Sequence, residues 1–150
     1  MAAETRLRQL AEKGCPVYYF YSSERYLVRQ AVAKLTRLLA ADSEEETTVL
    51  DGAAPEIEQL IMAAGTISFF GTRRVVVLPE VDPNAYGTKD LDELCSTLAS
   101  LENAVVVLGS VFALERNKLK VGKAAQKLIA QCKGLGYTEE LAKPKPFELK

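Results

Sequence analysis

Short unbroken apolar runs, separated by longer stretches of helical periodicity, make up most of this sequence. Residues 5–13 place Leu7 and Leu10 on one helical face before Gly14-Cys15-Pro16 interrupts the pattern. Val17-Tyr18-Tyr19-Phe20-Tyr21 then reads as a first strand, short, aromatic-rich and bounded by turn residues. With Ser22 or Ser23 as a cap, Leu27, Ala31, Leu35 and Leu38 outline the apolar face of a second helix. An acidic loop from Asp42 to Glu46 leads to a second strand, Thr47-Thr48-Val49-Leu50, ended by Asp51-Gly52. Pro55 suits the first turn of a further helix, in which Ile57, Leu60, Ile61 and Ala64 share one face and Gly65 is a natural stop.

The second half repeats the alternation. Val75-Val76-Val77-Leu78 is apolar throughout, as expected of a strand covered on both faces. A loop with Pro79, Pro83 and Gly87 precedes a helix lined by Leu91, Leu94, Cys95 and Leu98. Ala104-Val105-Val106-Val107-Leu108 is a fourth strand. Lys118 to Cys132 is predicted as a basic amphipathic helix with Leu119, Ala125, Leu128, Ile129 and Cys132 turned inward, and Tyr137 to Leu141 as a fifth strand. Five alternations without a hairpin signal predict an α/β domain: a three-layer, Rossmann-like, five-stranded, mainly parallel sheet with helices on both faces. Residues 1–142 form this expected domain, and the Pro-rich, charged residues 143–150 read as the start of a linker to another domain.

Composition narrows the chemistry. At 150 residues with 48% apolar side chains, the chain has the size and content of one domain with a real core. The formal net charge of -1 gives no global basic field, so contact with DNA is expected to be indirect or weak. There is no histidine, which removes His-based triads, His-ligated metals and histidine pH switches together. Cys15, Cys95 and Cys132 are far apart, odd in number and in no CxxC pair, as fits reduced, buried thiols. No run is long enough to cross a bilayer and the N-terminus carries Glu4, Arg6 and Arg8, so a cytoplasmic location is expected.

In such folds ligands gather at the carboxyl ends of the strands. The turn after the first strand, Ser22-Ser23-Glu24-Arg25-Tyr26, has neither GxxxxGK[ST] nor GxGxxG, so it lacks the glycines that let backbone N–H groups approach phosphates. Asp51 ends the second strand, where a ribose hydroxyl is often held, and also fits a turn-forming Asp-Gly. Glu80 and Asp82 follow the third strand, where an ATPase of this topology carries acidic residues, and equally fit plain loop polarity. Ser110 has no partner base. Arg116, Lys118, Lys120, Lys123 and Lys127 read most simply as a solvated helix face, with a role near DNA phosphates secondary. No catalytic residue, cofactor or metal is expected from these residues. A small nucleotide-binding or catalytic Rossmann-like domain using Asp51, Glu80 and Asp82 is kept as the alternative.

One connection breaks the polar pattern. Gly65-Thr66-Ile67-Ser68-Phe69-Phe70-Gly71-Thr72-Arg73-Arg74 joins a helix to a strand and carries two adjacent aromatics, either buried plugs of a purely structural module or exposed anchors for a partner. Taken together, Val17 to Leu27 (VYYFYSSERYL), Asp51-Gly52, Phe69-Phe70-Gly71-Thr72-Arg73-Arg74-Val75-Val76-Val77 and the aliphatic fourth strand resemble the N-terminal domain of the delta subunit of the bacterial DNA polymerase III clamp loader. The resemblance implies an AAA+ type domain that has lost its ATP site. It also implies a non-catalytic role in DNA replication: binding the ring-shaped sliding clamp, the beta subunit, and helping to open it while other subunits hydrolyse ATP. The family's clamp-contacting pair, typically Leu-Phe, falls on Phe69 and Phe70, with Ser68, Arg73 and Arg74 flanking; here the first member is Phe. Further partners implied are the other clamp-loader subunits, mainly through a helical lid and a collar domain that 150 residues do not accommodate. Because a helix-to-strand connection in a parallel sheet lies at the amino edge, the pair is expected to point away from those domains.

Overall fold

The computed structural model of the chain describes residues 2–39, 47–65, 74–101, 104–116 and 118–141. In chain order the elements are α1 (Ala2–Lys13), β1 (Val17–Ser22), α2 (Arg25–Leu39), β2 (Thr47–Val49), α3 (Ile57–Gly65), β3 (Arg74–Leu78), a 3-10 turn (Pro83–Ala85), α4 (Thr88–Ala99), β4 (Ala104–Val111), β5 (Leu114–Glu115), β6 (Lys118–Leu119), α5 (Lys123–Leu135) and β7 (Tyr137–Glu140). Five strands form one sheet in the order β2-β3-β4-β1-β7, every neighbouring pair parallel.

The sheet is buried on both faces, and the period of two along each strand sorts its side chains. Val17 and Tyr19 of β1, Val76 and Leu78 of β3, and Val106 and Leu108 of β4 pack with Ile57 and Leu60 of α3, Leu91, Leu94 and Leu98 of α4, and Leu128 and Cys132 of α5. The alternate residues, Tyr18 and Phe20, Val75 and Val77, and Val105 and Val107, pack with Leu7 and Leu10 of α1 and with Val28, Ala31, Val32 and Leu35 of α2. Unbroken apolar runs are the consequence of this two-sided burial. The expected three-layer α/β architecture is therefore present.

Two glycines permit close backbone approach. A Cβ on Gly109 would lie 2.5 Å from the carbonyl oxygen of Pro79, so the chain leaving β3 folds across β4 only because that position has no side chain. One on Gly136 would lie 2.1 Å from the Val17 carbonyl oxygen, where α5 ends beside the start of β1.

Three expectations need correction. The basic helix of residues 118–132 is not one element: Lys118 and Leu119 form β6, antiparallel to β5, and α5 starts at Lys123. Leu114 pairs with Leu119 and Glu115 with Lys118, which leaves a two-residue loop, and Arg116 supplies the positive φ (53°) that such a tight hairpin requires. Without Asn-Gly or Asp-Gly there, the turn carries no strong sequence signal. The fourth strand runs past Leu108 through Gly109 and Ser110 to Val111, with parallel pairing to β1 along the way. On α3, Ile57 and Leu60 are buried but Ile61 is exposed, so the apolar stripe is narrower than the periodicity suggests.

Candidate functional site

The connection that carries Ser68, Phe69, Phe70 and Arg73 lies outside the described residues, but both of its ends are in place. α3 finishes at Gly65, and Arg74 opens β3 in register with Ala104, the first residue of β4. The chain thus enters the sheet at its amino edge, opposite the turns that follow β1, β3 and β4. Arg74 is half-buried. On the last turns of α3, Ile61 and Met62 are 53% and 67% exposed, which places large apolar side chains on the surface just before this connection.

At the carboxyl edge, the turn from β1 into α2 is closed by its own side chain. Ser22 is buried, and its Oγ accepts a hydrogen bond from the Glu24 backbone N–H at 3.1 Å. A phosphate cradle needs N–H groups left available to the ligand, and here one of them is already satisfied locally.

Asp51, Glu80 and Asp82 are brought together, as the alternative reading requires, along a cleft of about 1200 Å³ between α2 and the carboxyl ends of β2, β3 and β4. Two of the three already have partners within the chain. Glu80 Oε1 lies 2.9 Å from the Nε atoms of both Arg25 and Arg29, one helical turn apart on α2. Asp82 accepts from the Asn84 backbone N–H at 3.0 Å and caps the 3-10 turn, while its own N–H donates to the Ala53 carbonyl at 2.6 Å. Among the described residues, no group of three or more His, Cys, Asp or Glu side chains is placed to hold a metal ion. The acidic residues read as a catalytic set are thus an ion-paired clasp, a turn cap and the single carboxylate of Asp51.

Ser110 is fully buried and bonded. Its hydroxyl donates to the Val81 carbonyl at 2.7 Å and meets the Tyr19 hydroxyl at 2.6 Å. Since the one serine proton goes to Val81, Tyr19 is the donor in the second bond. Burial raises the Tyr19 phenol above its ordinary range, so the group is neutral at physiological pH and serves as a donor. Burial also pushes the Cys95 and Cys132 thiols up, which makes them poor nucleophiles.

The basic residues expected on one helix face are divided between two elements. Lys118 lies in the hairpin, Lys120 just beyond it stands 3.9 Å from Glu115, and Lys127 on α5 is ion-paired with Asp92 of α4. Among the described residues, no helix is long and apolar enough to cross a membrane.

A parallel sheet in the order β2-β3-β4-β1-β7, covered on both faces, defines a three-layer α/β fold that solved structures share. In particular, the chain is similar to the DNA clamp loader delta protein of Bacillus subtilis, with a TM-score of 0.68 and 21% identity over 95% of this chain and 43% of that one. It is also similar to a DNA polymerase III gamma subunit-related protein of Thermotoga maritima, with a TM-score of 0.66 and 14% identity over 97% of this chain and 47% of that one. The chain therefore spans less than half the length of either structure. No protein-family model and no curated protein matches it.

Proposed function

We propose that this chain is the clamp-binding domain of a delta-type subunit of a DNA polymerase III clamp loader, acting in DNA replication without hydrolysing ATP itself. Phe69 and Phe70 enter an apolar pocket of the sliding clamp, and Ser68, Arg73 and Arg74 form the rim of the contact. The observation that carries the reading is the pairing of an α/β fold, similar over 95% of the chain to a clamp loader delta protein, with an aromatic pair in the sequence that joins α3 to β3. The self-closed turn after β1 and the engaged carboxylates of Glu80 and Asp82 support a role without nucleotide hydrolysis.

Burial of two Phe side chains contributes roughly 3 to 6 kcal/mol, against about 8 kcal/mol for a micromolar complex. Flanking contacts supply the difference, and the exposed Ile61 and Met62 extend the apolar surface on that side. The test is direct binding between this chain and the sliding clamp of the same organism, followed by calorimetry with and without ATP. A saturable complex that is indifferent to ATP supports the proposal; absence of any complex removes it.

A further inference from the structure

The cleft at the carboxyl edge has a charge arrangement that the clamp-binding reading leaves unused. Its walls carry Arg25, Arg29, Arg37 and Lys120 against Asp51, Glu80 and Asp82. Arg25, Arg29 and Arg37 lie on one stripe of α2 at helical spacing, about 18 Å from first to last at 1.5 Å per residue. Val49, which is 52% exposed, contributes apolar surface beside them.

Glu80 sits at the centre of the arrangement. A single carboxylate oxygen holds two guanidinium groups, each through Nε, at 2.9 Å. One negative charge is thus shared by two positive ones. Each guanidinium has five N–H donors in a rigid fork, and the two side chains remain 60% and 65% exposed. A second anion approaching the pair relieves the repulsion between the guanidiniums and meets donors already oriented. At the far end of α2, no described carboxylate pairs with Arg37, and Lys120 reaches its nearest carboxylate only at 3.9 Å.

We propose that this cleft binds the phosphate groups of a phosphorylated ligand, with Arg25 and Arg29, preorganised by Glu80, as the anchoring pair. Lys120 extends the contact at the carboxyl edge and Arg37 along α2, while Val49 meets the apolar part of the ligand. Phosphate favours such a site because its oxygens accept bidentate bonds from guanidinium forks. The ends of parallel strands are also where α/β sheets most often hold ligands. The inference does not depend on clamp binding, which is assigned to the opposite edge of the sheet.

Three probes separate the sources of phosphate: pyrophosphate, ATP without added divalent cation, and a short single-stranded oligonucleotide, each titrated into the isotope-labelled chain and followed by amide NMR. Saturable shifts centred on the backbone amides of Gly52, Val81 and Ala113 are expected with at least one probe. Tighter binding of ATP than of the oligonucleotide points to a free phosphorylated compound, and the reverse to a nucleic-acid backbone. Arg25→Gln with Arg29→Gln is expected to weaken the response at least about tenfold with an unchanged circular dichroism spectrum. Arg25→Lys with Arg29→Lys, which keeps the charge but loses the fork, should fall between. No saturable shift in the cleft with any probe, or an equal response from the glutamine variant, overturns the proposal. Phe69→Ala with Phe70→Ala should leave this titration unchanged, so failure here and failure of clamp binding are read independently.

Discussion

The hydroxyls of Tyr19 and Ser110 lie 2.6 Å apart at the centre of the sheet, between adjacent strands β1 and β4. With the Ser110–Val81 bond they form a directed chain, from Tyr19 to Ser110 to the Val81 carbonyl, that ties the turn after β3 to the two central strands. Ser110→Ala removes the shared partner and leaves a buried phenol and a buried carbonyl without it. The expected loss is about 2 kcal/mol. Tyr19→Phe should cost less, because Ser110 keeps its bond to Val81. Urea denaturation of the two variants checks the order, and a smaller loss for Ser110→Ala would contradict the assigned donor direction.

Two glycines near the end of α5 should respond to alanine with opposite sign. Gly134 lies inside the helix with nothing within 4 Å of an added Cβ, so Gly134→Ala is expected to stabilise by about 0.5–1 kcal/mol. Gly136 faces the Val17 backbone, where an added Cβ would stand 2.1 Å from a carbonyl oxygen that no rotamer change can move. Overpacking there should cost about 2–3 kcal/mol. Thermal unfolding of the two variants side by side is the measurement.

Buried thiols and phenols set the pH profile of stability. Burial raises the Cys95 and Cys132 thiols above the ordinary value of 9.0, pushes Tyr86 from 10.0 up to about 12, with Asp90 adding to it, and raises Tyr19 further. Each group binds its proton more tightly in the folded state, so its contribution is fully present below the unfolded value and is lost as pH rises through the folded one. Their contribution should therefore be constant around neutral pH, and stability should decline from about pH 9 upward. Cys132→Ser or Tyr86→Phe should each flatten part of that decline in chemical denaturation followed against pH.

The clasp around Glu80 is expected to add little to stability. Arg25 and Arg29 are largely exposed and Glu80 is 31% exposed, so solvent screens the pairs. Glu80→Gln should change the unfolding free energy by less than about 1 kcal/mol. A loss of several kcal/mol would mean that the clasp is structural and not a solvated ligand anchor.

Most of the fold was legible because its signals are local. A strand buried on both faces has to be apolar at every position, and Val75 to Leu78 and Val105 to Leu108 declare themselves in this way. The helices followed from periodicity and from the stops at Gly14 and Gly65. Gly109 and Ser110 hid the end of β4, because a glycine and a buried hydroxyl look like a turn until Pro79, Val81 and Tyr19 are seen packed against them. The β5–β6 hairpin was missed because Arg116 adopts a left-handed conformation that its residue type does not advertise. Asp51, Glu80 and Asp82 were each legible as candidates, but their partners were not: Arg25 and Arg29 precede Glu80 by more than fifty residues, and only the crossover of α2 over the sheet brings them together.

The aromatic pair remains the centre of the functional account. The most direct test compares wild-type chain with Phe69→Ala plus Phe70→Ala in binding to the sliding clamp of the same organism, with circular dichroism verifying the fold of both. The account predicts an affinity at least about 100-fold lower for the variant, the equivalent of roughly 3 kcal/mol or more of lost apolar burial. Equal affinity of the two proteins for the clamp would contradict it.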